Sequence, residues 1–192
     1  MGRGINYAPY WHNVARLIGY VSDDANSIPL LLDYFKRDEG GDVSLLVGKI
    51  WSLAFIGKIG GEQADEILKN AVTEDGAIEI ASNWINQELW PEKNWDKSEV
   101  IEYIRNAAMI GLVFTRKSDN LGIVKNIYED EFNRVLKTKK ATRLCAYTID
   151  SMAANDFIAE HSMEDYLNLG GAEEIRSLTP YIMKYSPPPP QD

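Results

Sequence analysis

Apolar residues recur at spacings of three and four along almost the whole chain, and nowhere does a strict alternation of apolar and polar positions persist. The pattern therefore predicts helices and no strands. Val14, Leu17, Ile18 and Val21 share one side of a segment over 9–21, which Pro9 opens. Proline is tolerated there because a first-turn N–H has no helical partner to lose. Ser27 stands two residues ahead of Pro29 as the cap of a second segment, 27–37. After Gly40-Gly41, the stretch 42–59 is apolar around most of its circumference, as a helix enclosed by neighbours must be. Residues 62–72 read as its short amphipathic partner.

Further along, Ala77, Ile80, Ala81, Trp84 and Ile85 define one face of a helix over 77–90, stopped by Pro91. Asp96 and Glu99 have capping-box spacing at the head of 96–116, with Asp in place of the usual Ser or Thr. Segments 119–137, 141–154 and 156–169 follow, the last ending at Gly170-Gly171. "EEIRSL" and "PYIMKY" are separated at Thr179-Pro180, which reads as a cap and first turn of a new helix.

The helices also repeat. The pairs Ile18-Gly19, Ile56-Gly57, Ile110-Gly111 and Ile149-Asp150 lie 38, 54 and 39 residues apart, each followed by a polar turn and a second apolar-faced helix. Two helices per unit at a period near 40 are the mark of a helical solenoid. Ala15, Ala54, Ala107, Ala108 and Ala146 precede the markers. Such small side chains are expected to let the first helix of each unit approach its neighbours closely. The expected fold is all-α: a right-handed α-solenoid of about four helix pairs over residues 1–185. A Pro-rich tail, 186–192, is expected to be extended polyproline helix.

"VARLIGYVSDDANSIPLLL" and "LAFIGKIGGEQADEIL" resemble the HEAT-repeat family, in particular the short bacterial repeats named after phycobilin-lyase subunits. They carry an Ala-x-x-hydrophobic-Gly helix end, a turn and, at Asp24 and Pro29, an acidic turn and an Ile-Pro-Leu-Leu start of the second helix. The resemblance spans roughly 13–169 and weakens along the chain, where Asp150 replaces glycine. It implies a binding scaffold more often than an enzyme.

The interval of 54 exceeds the others by about fifteen residues, and the surplus places a helical insertion at about 74–96. That insertion contains "NWINQELWPEKNW", which holds three of the five tryptophans. Burying one indole removes about 150–250 Å² from water, worth about 4–6 kcal/mol. Leaving all three wet would consume most of a domain's margin of about 5–15 kcal/mol. Trp84 shares a face with apolar neighbours and is the expected core residue. Trp90 and Trp95 flank Pro91 among charges and are candidate partner contacts, since tryptophan is enriched at binding hot spots.

Charge and candidate chemistry narrow the function. The formal net charge is −9, which argues against a surface tracking nucleic-acid phosphates. "KTKK" at 137–140 with Arg143 is the one basic cluster. No apolar run reaches the ~18 residues of a membrane span, and the N-terminal stretch has no apolar leader. The single Cys145 permits no internal disulfide, which fits a reducing compartment and suggests the cytoplasm.

His12 and His161 are the only histidines, with no metal-ligand spacing between them and no cofactor motif elsewhere. His161 reads as helix surface, His12 as a packed ring, and Cys145 as a small buried hydrophobe. "GKIGG" at 57–61 lacks phosphate-loop spacing and reads as a helix end with a tight turn. The expectation is a non-enzymatic protein-binding scaffold whose second helices, with Glu62, Asp65 and Glu66, face a basic protein partner. The enzymatic alternative implied by the resemblance is an alkylpurine-glycosylase-like DNA-repair activity.

Overall fold

The structure, a computed structural model, describes residues 24–36, 43–85 and 96–188. These form nine helices and no strand: α1 (Ser27–Lys36), α2 (Val43–Ile59), α3 (Glu62–Ala71), α4 (Glu74–Ile80), α5 (Lys97–Phe114), α6 (Ser118–Thr138), α7 (Arg143–Glu160), α8 (Met163–Asn168) and α9 (Gly171–Tyr185). The all-α expectation is met. The segment 9–21, the first repeat marker, His12, Trp90, Trp95 and the tail from 189 onward lie outside the described residues.

Local chemistry sets most helix ends. Asp96 and Glu99 make the expected capping box: Glu99 N–H donates to the Asp96 carboxylate at 2.9 Å, and Asp96 N–H to the Glu99 carboxylate at 3.2 Å. Thr73, Thr142 and Ser162 accept in the same manner from Gly76, Cys145 and Asp165 N–H. Each satisfies an N–H that the first turn leaves without a partner. Gly60 and Gly61 have φ of 74° and 95°, the backbone that the turn after α2 needs and that glycine adopts without cost.

Three boundaries differ from the sequence reading. The insertion helix is the seven-residue α4, starting earlier and giving way to turns over 81–85. Its buried face is the expected one, with Ala77, Ile80, Ala81, Trp84 and Ile85 all buried. The helix stops because the next residues are used elsewhere. Trp84 Nε1 donates to the Phe35 carbonyl at 2.8 Å and Asn83 Nδ2 to the Lys36 carbonyl at 3.2 Å. Both acceptors belong to the last turn of α1, whose carbonyls have no helical donors. The Trp84 ring also packs edge-on to Phe35 at 5.4 Å.

Nothing between Ala154 and Asp156 interrupts helical backbone, so α7 runs on to Glu160. The break falls at His161-Ser162, where Ser162 caps α8. Residues 171–185 form one helix with Pro180 inside it. Thr179 caps nothing; its hydroxyl donates to the Ile175 carbonyl at 2.6 Å. The continuous helix survives the proline because Ile182 and Tyr185 pack against the small Val135, Cys145 and Ile149 cluster.

The most extensive helix contact joins α2 and α5, and α5 in turn lies against α7. Helix α3 rests on both α2 and α5, and α6 on both α5 and α7. Two glycines allow the close approach of α2 to α5. A methyl group at Gly57 would stand 2.0 Å from the Gly111 carbonyl oxygen and 2.5 Å from its Cα. One at Gly111 would meet Leu68 Cδ2 at 2.7 Å and the Leu53 carbonyl at 2.9 Å. The two glycines, both expected as repeat markers, let one backbone touch the other. Ala54, Ala107 and Ala108 are buried as expected. Ala146 is exposed, and Ala153 and Ala154 on the next turns of α7 supply the small buried residues instead.

Replacing Gly57 by alanine should cost ~3 kcal/mol or more, the upper end for overpacking, because backbone rather than a movable side chain stands in the way. Gly122, inside α6 with nothing within 4 Å of an added Cβ, should behave oppositely. Gly122→Ala should add about 0.5–1 kcal/mol through helix propensity. Urea titrations of the two variants beside the parent protein measure both signs.

Candidate functional site

The expected partner-contact residues divide. Glu62 and Glu66 are exposed on α3. Asp65, on the same helix, is largely covered. Lys117 Nζ donates to its Oδ2 at 2.6 Å, and Asn120 Nδ2 to its Oδ1 at 2.8 Å. Asn120 is fully buried and donates as well to Thr115 Oγ1 at 2.8 Å, while its own oxygen accepts nothing. Spacings of three and four put the acids on neighbouring rows of one helix side, and of the three Asp65 is the one that meets the start of α6. Asp65 therefore joins α3 to the turn between α5 and α6.

Burial raises the Asp65 carboxyl pKa, yet the bonds from Lys117 and Asn120, with the Lys117 charge, outweigh it and hold it below the usual value. Cys145 is buried, and burial pushes its thiol pKa up, so the neutral form is favoured and the thiolate a nucleophile requires is not. Lys137, Lys139 and Lys140 are exposed where α6 ends, with Lys139 in the left-handed conformation (φ 56°) that terminates the helix. Arg143 is paired with Glu99 at 2.5 Å, so the basic cluster is partly neutralised. Among the described residues no three His, Cys, Asp or Glu side chains converge as a metal site would require, and no helix is long and apolar enough to cross a membrane.

A concave site lies elsewhere. The end of α7, α8 and one side of α9 enclose an open cleft of about 570 Å³. Phe157 and Leu169, 5% and 8% exposed, and Pro180 make its apolar part. The His161 ring stacks on Phe157 at 4.4 Å, and Tyr181 meets Phe157 edge-on at 5.8 Å. Tyr181 donates its hydroxyl proton to Glu160 at 2.7 Å and lies 3.4 Å from His161 Nε2. The bond to Glu160 raises the Tyr181 pKa, keeping it a neutral donor. Asp165, Glu173, Arg176 and Ser177 supply the polar wall.

Helix α9 stands where it does because its far end is tied down. Asp156 on α7 accepts from Lys184 Nζ at 2.6 Å and from Tyr185 Oη at 2.7 Å. Tyr128 on α6 donates to the Tyr185 carbonyl at 3.0 Å. The other half of α9 faces α8 across the cleft. Its lining positions 173, 176, 177, 180 and 181 form one helical stripe. Only a continuous helix shows that stripe, and a reading that starts a new helix at Pro180 breaks it.

Comparison with protein-family models, with curated proteins and with solved structures finds no match to this chain.

Because its folded-state pKa is depressed, Asp65 contributes stability that is present above the unfolded value of about 3.9 and is lost as the pH falls through the lower folded value. Asp65→Asn should therefore lower stability at pH 7, and the deficit relative to the parent should shrink below about pH 4. Urea midpoints of the two proteins at neutral and acid pH supply the comparison.

Proposed function

We propose that the protein is a HEAT-like helical solenoid acting as a non-enzymatic scaffold, with an acidic second-helix surface that receives a basic protein partner. The observation that carries this reading is the contact of Gly57 with Gly111. Equivalent residues of successive units meet there, which is how a repeat protein joins one unit to the next. The order of contacts agrees: first helices α2, α5 and α7 neighbour one another in sequence, with α3 and α6 each bridging two of them. Glu62 and Glu66 face outward from a second helix, and the net charge of −9 gives the surface a field that attracts positive partners. On this reading Trp90 and Trp95, which lie outside the described residues, are further contacts for the partner. The cytoplasm is the compartment proposed.

Immobilised protein should retain a basic partner in about equal amounts from a lysate, and raising the salt from 0.15 M to about 1 M should release it, as screening of exposed charges requires. Changing Glu62→Lys together with Glu66→Lys should weaken retention about tenfold or more, chiefly through the association rate. Retention indifferent to salt and charge reversal would remove the electrostatic basis. Release of alkylated bases from DNA by the protein would replace the scaffold reading with the glycosylase one.

A further inference from the structure

The cleft between α8 and α9 holds charges that packing does not use. Glu173 and Arg176 both line it, three residues apart on α9, yet neither makes a hydrogen bond or ion pair with a described residue. The neighbouring acids are engaged: Asp165 accepts from the Ser162 hydroxyl at 2.6 Å, Glu160 from Tyr181, and Asp156 from Lys184 and Tyr185. Pro180, also in the lining, has no N–H to offer the Arg176 carbonyl four residues earlier. That carbonyl is thereby left without its usual helical donor. A cation and an anion without partners among the described residues thus stand beside a small apolar surface made by Phe157, Leu169 and Pro180.

We propose that this cleft binds a small zwitterion, an α-amino acid or dipeptide with an apolar side chain. Its carboxylate pairs with the Arg176 guanidinium, whose fork of donors suits a carboxylate's two oxygens. Its ammonium is held by the Glu173 carboxylate, and its side chain lies over Phe157. The aromatic packing of His161 and Tyr181 around Phe157 fixes that surface in advance, which lowers the ordering cost of binding.

The charges decide between ligand classes. A simple anion meets Glu173 and Asp165 on a protein of net charge −9, and a simple cation meets Arg176. A molecule carrying both charges satisfies both. The cleft volume of about 570 Å³ lies within the ~300–1,000 Å³ usual for small-molecule sites. The proposal is independent of the scaffold reading, which rests on α3 and the α2–α5 contact.

Calorimetric titration of the whole chain with leucine, phenylalanine and the dipeptide Leu-Phe tests it. Saturable binding is expected. Arg176→Gln and Glu173→Gln should each weaken it about tenfold, and so should N-acetylation or C-amidation of the probe, the worth of one charge-assisted bond. Both side chains are exposed, and circular dichroism checks that the variants stay folded. The proposal is overturned if the parent protein shows no saturable binding up to about 10 mM, weaker than the millimolar end of the affinity scale. It is equally overturned if folded Arg176→Gln binds as the parent does, or if the singly charged probes bind as well as the zwitterions.

Discussion

Two glycines from different helices occupy the space of one side chain, and the arrangement of the other elements follows from that contact. With Gly57 set against the Gly111 backbone, α2 and α5 come close enough for their flanking apolar residues to interdigitate with few voids. The Leu53 carbonyl of α2 and the Leu68 side chain of α3 both stand against Gly111, which seats α3 across the α2–α5 seam. The position of α3 brings Asp65 to the start of α6, where Lys117 and Asn120 meet it. A close backbone contact thus fixes, two steps away, which acid of α3 turns inward and which remain available to solvent. A larger residue at either glycine would separate the helices and loosen every contact in this chain.

The sequence shows this contact because it is written in residue size. Glycine after isoleucine in an otherwise apolar helix has a simple packing explanation, a place where another backbone comes close, and Gly57 and Gly111 do meet although 54 residues separate them. Trp84 was legible for a related reason: its apolar neighbours at helical spacing mark a buried face whether or not the backbone there stays helical. What the periodicity does not reveal is the use of its indole N–H, because the acceptor is the Phe35 carbonyl, 49 positions earlier. Hydrogen bonds of such long range depend on how helices are placed, and residue spacing carries no record of that.

The same limit explains the cleft. Its lining comes from α7, α8 and α9 and depends on two features that local rules misread. Pro180 normally ends or begins a helix, but here tertiary packing of Ile182 and Tyr185 outweighs its lost bond. His161 is exposed, as a surface residue should be, but it stands at the break between α7 and α8 rather than within a continuous helix, and it stacks on Phe157. The unbroken helix through Pro180 brings five residues that the periodicity divides between two segments onto one wall.

A free Glu173 and a free Arg176 on the same helix also bear on why the cleft persists as an open space. Charged side chains at i and i+3 can pair on a helix surface, but an exposed pair is worth only about 0.2–0.5 kcal/mol, so leaving them apart costs little. Closing α9 onto α8 would be a different matter. It would carry both charges out of water, at several kcal/mol for each ion that finds no partner. The unpaired charges therefore oppose collapse of the cleft, while Asp156, Lys184 and Tyr185 hold the other end of α9 in place. A ligand that brings its own opposite charges removes that obstacle, and the feature that keeps the cleft open when empty is the one that would favour its occupation by a zwitterion.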